Sequence, residues 1–208
     1  MNRVELSNGA SPGVLEAPSV LSVEEAVRRA GRFLLDQQAG RGYWCGELEA
    51  DTTLESDTIK MWHLLGRVDL KKQEQLVRWI LKQELQDGGW PIYAGGPAEL
   101  TATVKAHVAL RLAGLQEEHE VLRRSRAAVL RLGGLERINS FEKMYLALFG
   151  LYPWDQVPAL PPEVVLLPKW FPVNIYEISY WSRTILIPLA VLYGLRPSWK
   201  KAPFTLED

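Results

Sequence analysis

The sequence predicts an all-α protein built as an arc of helical hairpins, a partial α/α toroid. Three observations predict it. Apolar residues recur at helical spacing in several separate segments, and no convincing pair of strands is present. The chain also repeats itself at a shift of 46 residues: Phe33 maps onto Trp79, Leu34 onto Ile80, Gln37 onto Gln83, Gly42 onto Gly88 and Trp44 onto Trp90. That period suits one helical hairpin per repeat, as in solenoids and α/α toroids, where each unit buries its apolar face against its neighbours.

The first helix opens at a capping box, Ser22 followed by Glu25. Its apolar positions Val23, Ala26, Val27, Ala30, Phe33 and Leu34 carry it to about Gln38, before Gly40 and Gly42 stop it. Further helical patterns cover Thr53 to Leu65, Leu70 to Leu85, Leu100 to Ala113, Glu117 to Leu132, Ser140 to Phe149 and Tyr176 to Leu192. The run Val164 to Leu167 is strand-like, but Pro161, Pro162 and Pro168 bracket it, so it reads as a connector. At each repeat, Gln37 or Gln83 can hydrogen-bond the backbone of the following turn, and Gly42 or Gly88 permits that turn. The indole of Trp44 or Trp90 then packs over it. These six residues read as structural, and truncating either tryptophan is expected to destabilise equally.

With 208 residues, 47% hydrophobic and 24% charged, the chain fits one globular domain. Residues 1–20 read as a flexible lead without the apolar core of a signal peptide, and residues 21–208 as the helical domain. Lysine and arginine number 24 against 25 acidic residues, a net charge of −1, so a nucleic-acid partner is not expected. Cys45 has no disulfide partner, and His63, His107 and His119 lack zinc-ligand spacing, so neither metal nor cofactor is expected. Ile185 to Leu195 is about half the roughly 20 residues a membrane span needs, and Pro188 interrupts it. A cytoplasmic protein follows. No phosphate-binding loop, nucleophile elbow or dinucleotide fingerprint is present. His107 shares a helix with Val104, Val108 and Leu112 and reads as a satisfied histidine, while Cys45 has no nearby base to activate it.

The segment RAGRFLLDQQAGRGYW, Arg29 to Trp44, resembles the repeated "QW" motif of squalene and oxidosqualene cyclases, and WILKQELQDGGW, Trp79 to Trp90, resembles a looser copy. Gly95 to Gly114 and Leu146 to Thr184 are similar to the N-terminal region of bacterial squalene-hopene cyclases. The resemblance covers nearly all of the chain from residue 20 on. It implies class II terpene cyclase chemistry, an isomerase reaction. An aspartic acid in a D-x-D-D motif protonates an alkene, and the carbocation then cyclises inside an aromatic-lined cavity. A carboxyl group of ordinary pKa donates poorly to a C=C bond, so the donor must be protonated, hydrogen-bonded and dry. The cations are held by π faces, worth roughly 2 kcal/mol or more when desolvated.

No D-x-D-D occurs in the 208 residues, and the acidic cluster Gly46 to Asp57 has the wrong spacing, reading as a solvated loop and helix start. No catalytic residue is therefore assigned. The resemblance implies that Phe141 and Trp181 are aromatics near the cavity, unless both fill core. It also implies that Asp57 stands where hopene cyclases have a glutamate in a polar network. Lys105, Asn139 and Tyr145 stand where that network usually has an acidic residue, an arginine and a tryptophan. A ring of six hairpins at this repeat length needs roughly 280 residues, so the expected structure is an open arc, an incomplete (α/α)6 barrel. The expected function is the N-terminal part of a squalene-hopene-type cyclase acting on squalene or a related polyprenyl chain, inactive alone. Its partners would be a separate C-terminal cyclase half, or a second copy through self-association. The alternative is a non-catalytic helical scaffold that binds an isoprenoid or a partner. The apolar stretch Tyr152 to Pro172, with Trp154, Trp170 and Phe171 beside Lys169, reads as a buried connector or, alternatively, as a contact with a bilayer. The resemblance itself implies peripheral attachment to the inner face of the cell membrane.

Overall fold

The computed structural model describes residues 22–46, 50–199, 204 and 206. The expected flexible lead lies outside them. Two compact units divide the chain, residues 1–48 and residues 49–208. The described residues are helical, without a named strand, and the helices are α1 (Val23–Asp36), α2 (Thr53–Leu65), α3 (Leu70–Lys82), α4 (Leu100–Leu112), α5 (Glu120–Leu132), α6 (Ser140–Leu148) and α7 (Tyr180–Leu195). The strand-like run after Pro161 is a short 3-10 turn, Pro162–Leu166, in keeping with a connector.

Helix starts follow local chemistry. Ser22 caps α1 by accepting from the Glu25 N–H, and Glu25 itself turns to Arg28. Asp69, Glu99, His119 and Asn139 cap α3, α4, α5 and α6 in the same way. The last helix begins four residues later than its apolar pattern. Asn174 Oδ1 accepts from the Tyr176 and Glu177 N–H groups, which holds the chain in a turn until Ser179 caps α7. It then continues through Pro188 to Leu195.

The repeat is visible atom by atom. In the first unit the indole Nε1 of Trp44 donates to Leu34 O, the Ala39 N–H to Tyr43 O, and Gly42 sits at φ +85°. In the second unit, each bond recurs 46 residues on. Trp90 Nε1 donates to Ile80 O at 2.7 Å, the Leu85 N–H donates to Gly89 O, and Gly88 sits at φ +83°. That positive φ is what only glycine adopts cheaply. The glutamines differ from expectation: Gln37 and Gln83 contribute backbone N–H groups as helix C-caps, and the side-chain bond to the turn comes from Gln38, whose Nε2 donates to Gly42 O at 3.0 Å. Trp44 and Trp90 also differ in burial, since Trp90 is fully enclosed and Trp44 is 51% exposed.

In the second unit α4 is the centre of the core. Nine of its residues are buried, among them Val104, Ala106, Val108, Ala109 and Leu110, so it is covered on all sides. Helices α2 and α5 pack against it, and α3 packs on α2. The Trp90 turn docks onto the start of α4 through the Trp90 N–H, which donates to Thr103 Oγ1 at 3.1 Å. Helix α5 closes over the same turn so tightly that a Cβ on Gly88 would lie 2.7 Å from the Arg124 backbone. Arg124 then grips Glu84 with two hydrogen bonds, and Arg131 pairs with Asp87. Truncating Trp90 removes a fully buried indole and its hydrogen bond to Ile80 O, so Trp90→Ala is expected to cost roughly 3–5 kcal/mol in urea denaturation. Trp44→Ala is expected to cost clearly less, because half of that ring already meets solvent.

Candidate functional site

Four charged side chains converge where α2, α4 and α6 meet. Lys60 Nζ donates to both oxygens of Glu142 at 2.7 Å, joining α2 to α6. It also stands 2.9 Å from Asp57 Oδ1, a charge contact rather than an aligned hydrogen bond. The second oxygen of Asp57 accepts from Lys105 Nζ of α4 at 2.6 Å. The side chains of Lys60 and Glu142 are 1% and 0% exposed, so their charges depend on each other. Tyr145, one turn along α6 from Glu142, places its ring 4.9 Å from the Lys60 ammonium.

Burial pushes the Glu142 carboxyl above its ordinary range, against the opposing pull of Lys60 and then Lys105. The Tyr145 hydroxyl is also raised, by burial first and by Asp57 second. Beside this network lies a cavity of about 460 Å³. Lys60, Met61 and Leu64 form one wall, Tyr145, Leu148 and Phe149 another, and Leu192 and Trp199 close it. The site therefore joins an apolar hollow to a dry, charge-balanced polar end.

The structure brings Asp57, Lys105 and Tyr145 together and leaves the other candidates apart. Asn139 serves as the α6 cap, accepting from the Glu142 N–H at 2.9 Å, so it holds the carboxylate's helix and not its charge. Phe141 is 51% exposed and Trp181 76% exposed, so neither fills core. The stretch Gly46 to Asp57, of which residues 47–49 lie outside the described ones, is less solvated than expected at its helix start, with Thr52 and Ser56 buried. Trp170, at 81% exposure, overturns the buried-connector reading for that part of the Pro-rich stretch, although Leu151, Tyr152 and Val157 upstream are buried. Sequence reasoning missed Lys60 and Glu142. The available signal was spacing: Thr52, Ser56 and Lys60 stand four apart on the inward face of α2, with two small residues leaving room for a long one.

His107 is satisfied elsewhere. Its Nδ1 shares a hydrogen bond of 2.8 Å with Ser125 Oγ, which also lies 3.0 Å from Leu122 O. Burial, then Arg111 and Arg126, lowers its pKa to about 4. Among the described residues, no cluster of His, Cys, Asp or Glu is arranged to hold a metal.

The sequence profile of the squalene-hopene cyclase N-terminal domain matches residues 27–207. The chain belongs to the squalene-hopene cyclase family. It is 41% identical over 176 residues to the squalene–hopene cyclase of Zymomonas mobilis, which covers 84% of this chain and 27% of that protein. It is 36% identical to the squalene–hopene cyclase of Alicyclobacillus acidocaldarius, over 88% of this chain and 29% of that one. Dammaradiene synthase of Dryopteris crassirhizoma matches at 34% identity, over 88% of this chain and 27% of that one. The chain thus spans a little over a quarter of the length of these relatives. The fold is that of the family's all-α N-terminal domain.

Two outcomes test the electrostatics of this cyclase-family domain. Lys60→Met alone strands a buried carboxylate and is expected to cost roughly 3–5 kcal/mol in urea denaturation. Adding Glu142→Leu to it is expected to recover most of the loss. For His107, the folded pKa lies below the unfolded value of 6.5, so the unfolded chain binds the extra proton between them. Stability is therefore full above about pH 6.5 and falls as pH drops toward 4, by about 3 kcal/mol in total. His107→Gln is expected to flatten that part of the pH profile of Tm.

Proposed function

We propose that this domain forms part of the substrate-cavity wall of a squalene-hopene-type cyclase, an enzyme that cyclises squalene or a related polyprenyl chain through carbocations. The observation that carries the reading is the cavity between α2 and α6, apolar along its length and ended by the buried Lys60–Glu142 pair and Tyr145. Family membership supports the same assignment, and the squalene–hopene cyclases among its relatives supply the substrate class.

The roles divide by chemistry. The alkene is protonated by a D-x-D-D acid supplied by a C-terminal cyclase half, because these 208 residues hold no such motif. Phe141 and Trp181, with exposed π faces, provide cation–π stabilisation once that half encloses them. Asp57 and Tyr145 set the polar boundary of the cavity. Large apolar side chains left open on α7, including Tyr180, Trp181 and Leu195, support association with the C-terminal half or with a second copy. Exposed Trp170 and Phe171 beside Lys169 support peripheral contact with the inner face of the cell membrane, which sedimentation with anionic vesicles measures. Among the described residues no helix is long and apolar enough to cross a membrane.

The test is reconstitution. The purified chain incubated with squalene is expected to give no cyclic triterpene. Co-expression with a C-terminal half carrying D-x-D-D is expected to give turnover and a monodisperse complex by light scattering. A cyclic product from the chain alone would overturn the division of labour, and binding of squalene without turnover in the complex would favour a non-catalytic isoprenoid-binding scaffold.

A further inference from the structure

The cavity between α2 and α6 is closed on one side by a short segment whose attachments are unlike those of the other walls. Residues 197–199 follow α7 and fold back onto the end of α6. Pro197 and Ser198 are exposed, while Trp199 is half-buried with its ring edge-on to Phe149 at 5.3 Å. The backbone attachment is one hydrogen bond, from the Trp199 N–H to Leu148 O at 2.6 Å, joined by the Trp154 indole, which donates to Pro197 O at 3.1 Å. Both anchors fall within residues 148–154. Leu148 O is one of the last carbonyls of α6, which no helical N–H reaches, so water can replace Trp199 there at little cost. Ser198 rests against Gly150, which sits at φ +70° and where a Cβ would come within 3.1 Å of Ser198 Oγ.

The hinge has its own signature. Arg196 is the only described non-glycine residue at positive φ, at +44°, and it lies between α7 and the segment. An L-residue there is strained, and its N–H to Leu192 O and its guanidinium over Tyr193 hold it in place. Beyond the segment, Phe204 is again anchored, under the Arg111 guanidinium. Residues 197–199 thus have a strained pivot at Arg196 and one plug residue, Trp199.

We infer that residues 197–199 are a hinged strap over this cavity, and that an apolar polyprenyl ligand enters by displacing Trp199 from Phe149 while Arg196 relaxes from the left-handed conformation. The inference rests on the reading of the cavity as a substrate wall and adds the route into it. The walls on α2 and α6 are helical and tied by the Lys60–Glu142 pair, so the strap is the wall that can move without breaking the core.

The experiment uses the full chain labelled with 5-fluorotryptophan, with the Trp199 resonance identified by its loss in Trp199→Phe. Squalene is delivered from cyclodextrin, and the H2O-to-D2O shift of that resonance reports exposure. The strap predicts that Trp199 is shielded in the free chain and gains the solvent shift on saturation with squalene. It also predicts that Trp199→Ala speeds squalene association at least about threefold, and that Arg196→Gly, which removes the strain of the closed hinge, slows it. Squalene binding with no change at Trp199 overturns the strap while leaving the cavity reading intact. Failure of squalene to bind the chain at all overturns the strap, and failure to bind the reconstituted complex as well overturns the cavity reading. A circular dichroism melt of each variant confirms that the fold is retained, and Trp199→Phe, which keeps an aromatic plug, is expected to bind at the parental rate.

Discussion

A lysine and a glutamate stripped of water hold the second unit at its middle. Neither Lys60 nor Glu142 can be buried alone, since an isolated charge in a dry interior costs several kcal/mol even after relaxation. Together they fix the distance between α2 and α6 across the central helix α4, and Asp57 and Lys105 extend the alternation of charge to α4 itself. Replacing such a pair by well-packed apolar residues is often neutral or stabilising, so its presence is better explained by what it positions than by what it adds to stability. It positions Tyr145, whose ring rests against the Lys60 ammonium and whose hydroxyl lies in the same field.

That arrangement departs from the polar network the resemblance implies. An acidic residue is expected where Lys105 stands, an arginine where Asn139 stands, and a tryptophan where Tyr145 stands. Read one at a time, these are losses. In the structure the charges are balanced: the positive charge at Lys105 is met by Asp57, and Lys60 is met by Glu142 and Asp57. Asn139 keeps a part by capping the helix that carries Glu142.

The helices were legible from local rules. Caps, glycine stops and apolar spacing place six of the helices within a few residues, because each signal acts over one or two turns. The QW repeat was legible for the same reason in its offset, its glycine and its tryptophan, while the indole's bond to Ile80 O and the part played by Gln38 appear only in the fold. Where α7 begins was misread because Asn174 and Ser179, both polar and ahead of the apolar run, hold the chain in turns that hydropathy does not register. Lys60 and Glu142 were not legible because the bond between them spans 82 positions, and each alone looks like a solvated helix charge. Asp57, Lys105 and Tyr145 could be named only through resemblance, and their convergence is a property of the fold.

Burial of the two tryptophans of the repeat shows what such a motif specifies. The same turn, the same positive-φ glycine and the same indole-to-carbonyl bond form in both units, so the motif encodes a local device that closes a helix and aims an indole. It does not encode what covers that indole. The second copy's turn is docked by α4 and α5, through the Trp90 N–H bond to Thr103 and the close approach of Arg124 to Gly88, and Thr103 and Arg124 lie outside the motif. The repeat therefore sets the turn itself, while the burial of each indole is set by residues outside the motif. The cavity lining on α2 and α6 lies outside the motif, so it can vary without disturbing the turn's bonds, which is the freedom the Lys60–Glu142 network uses.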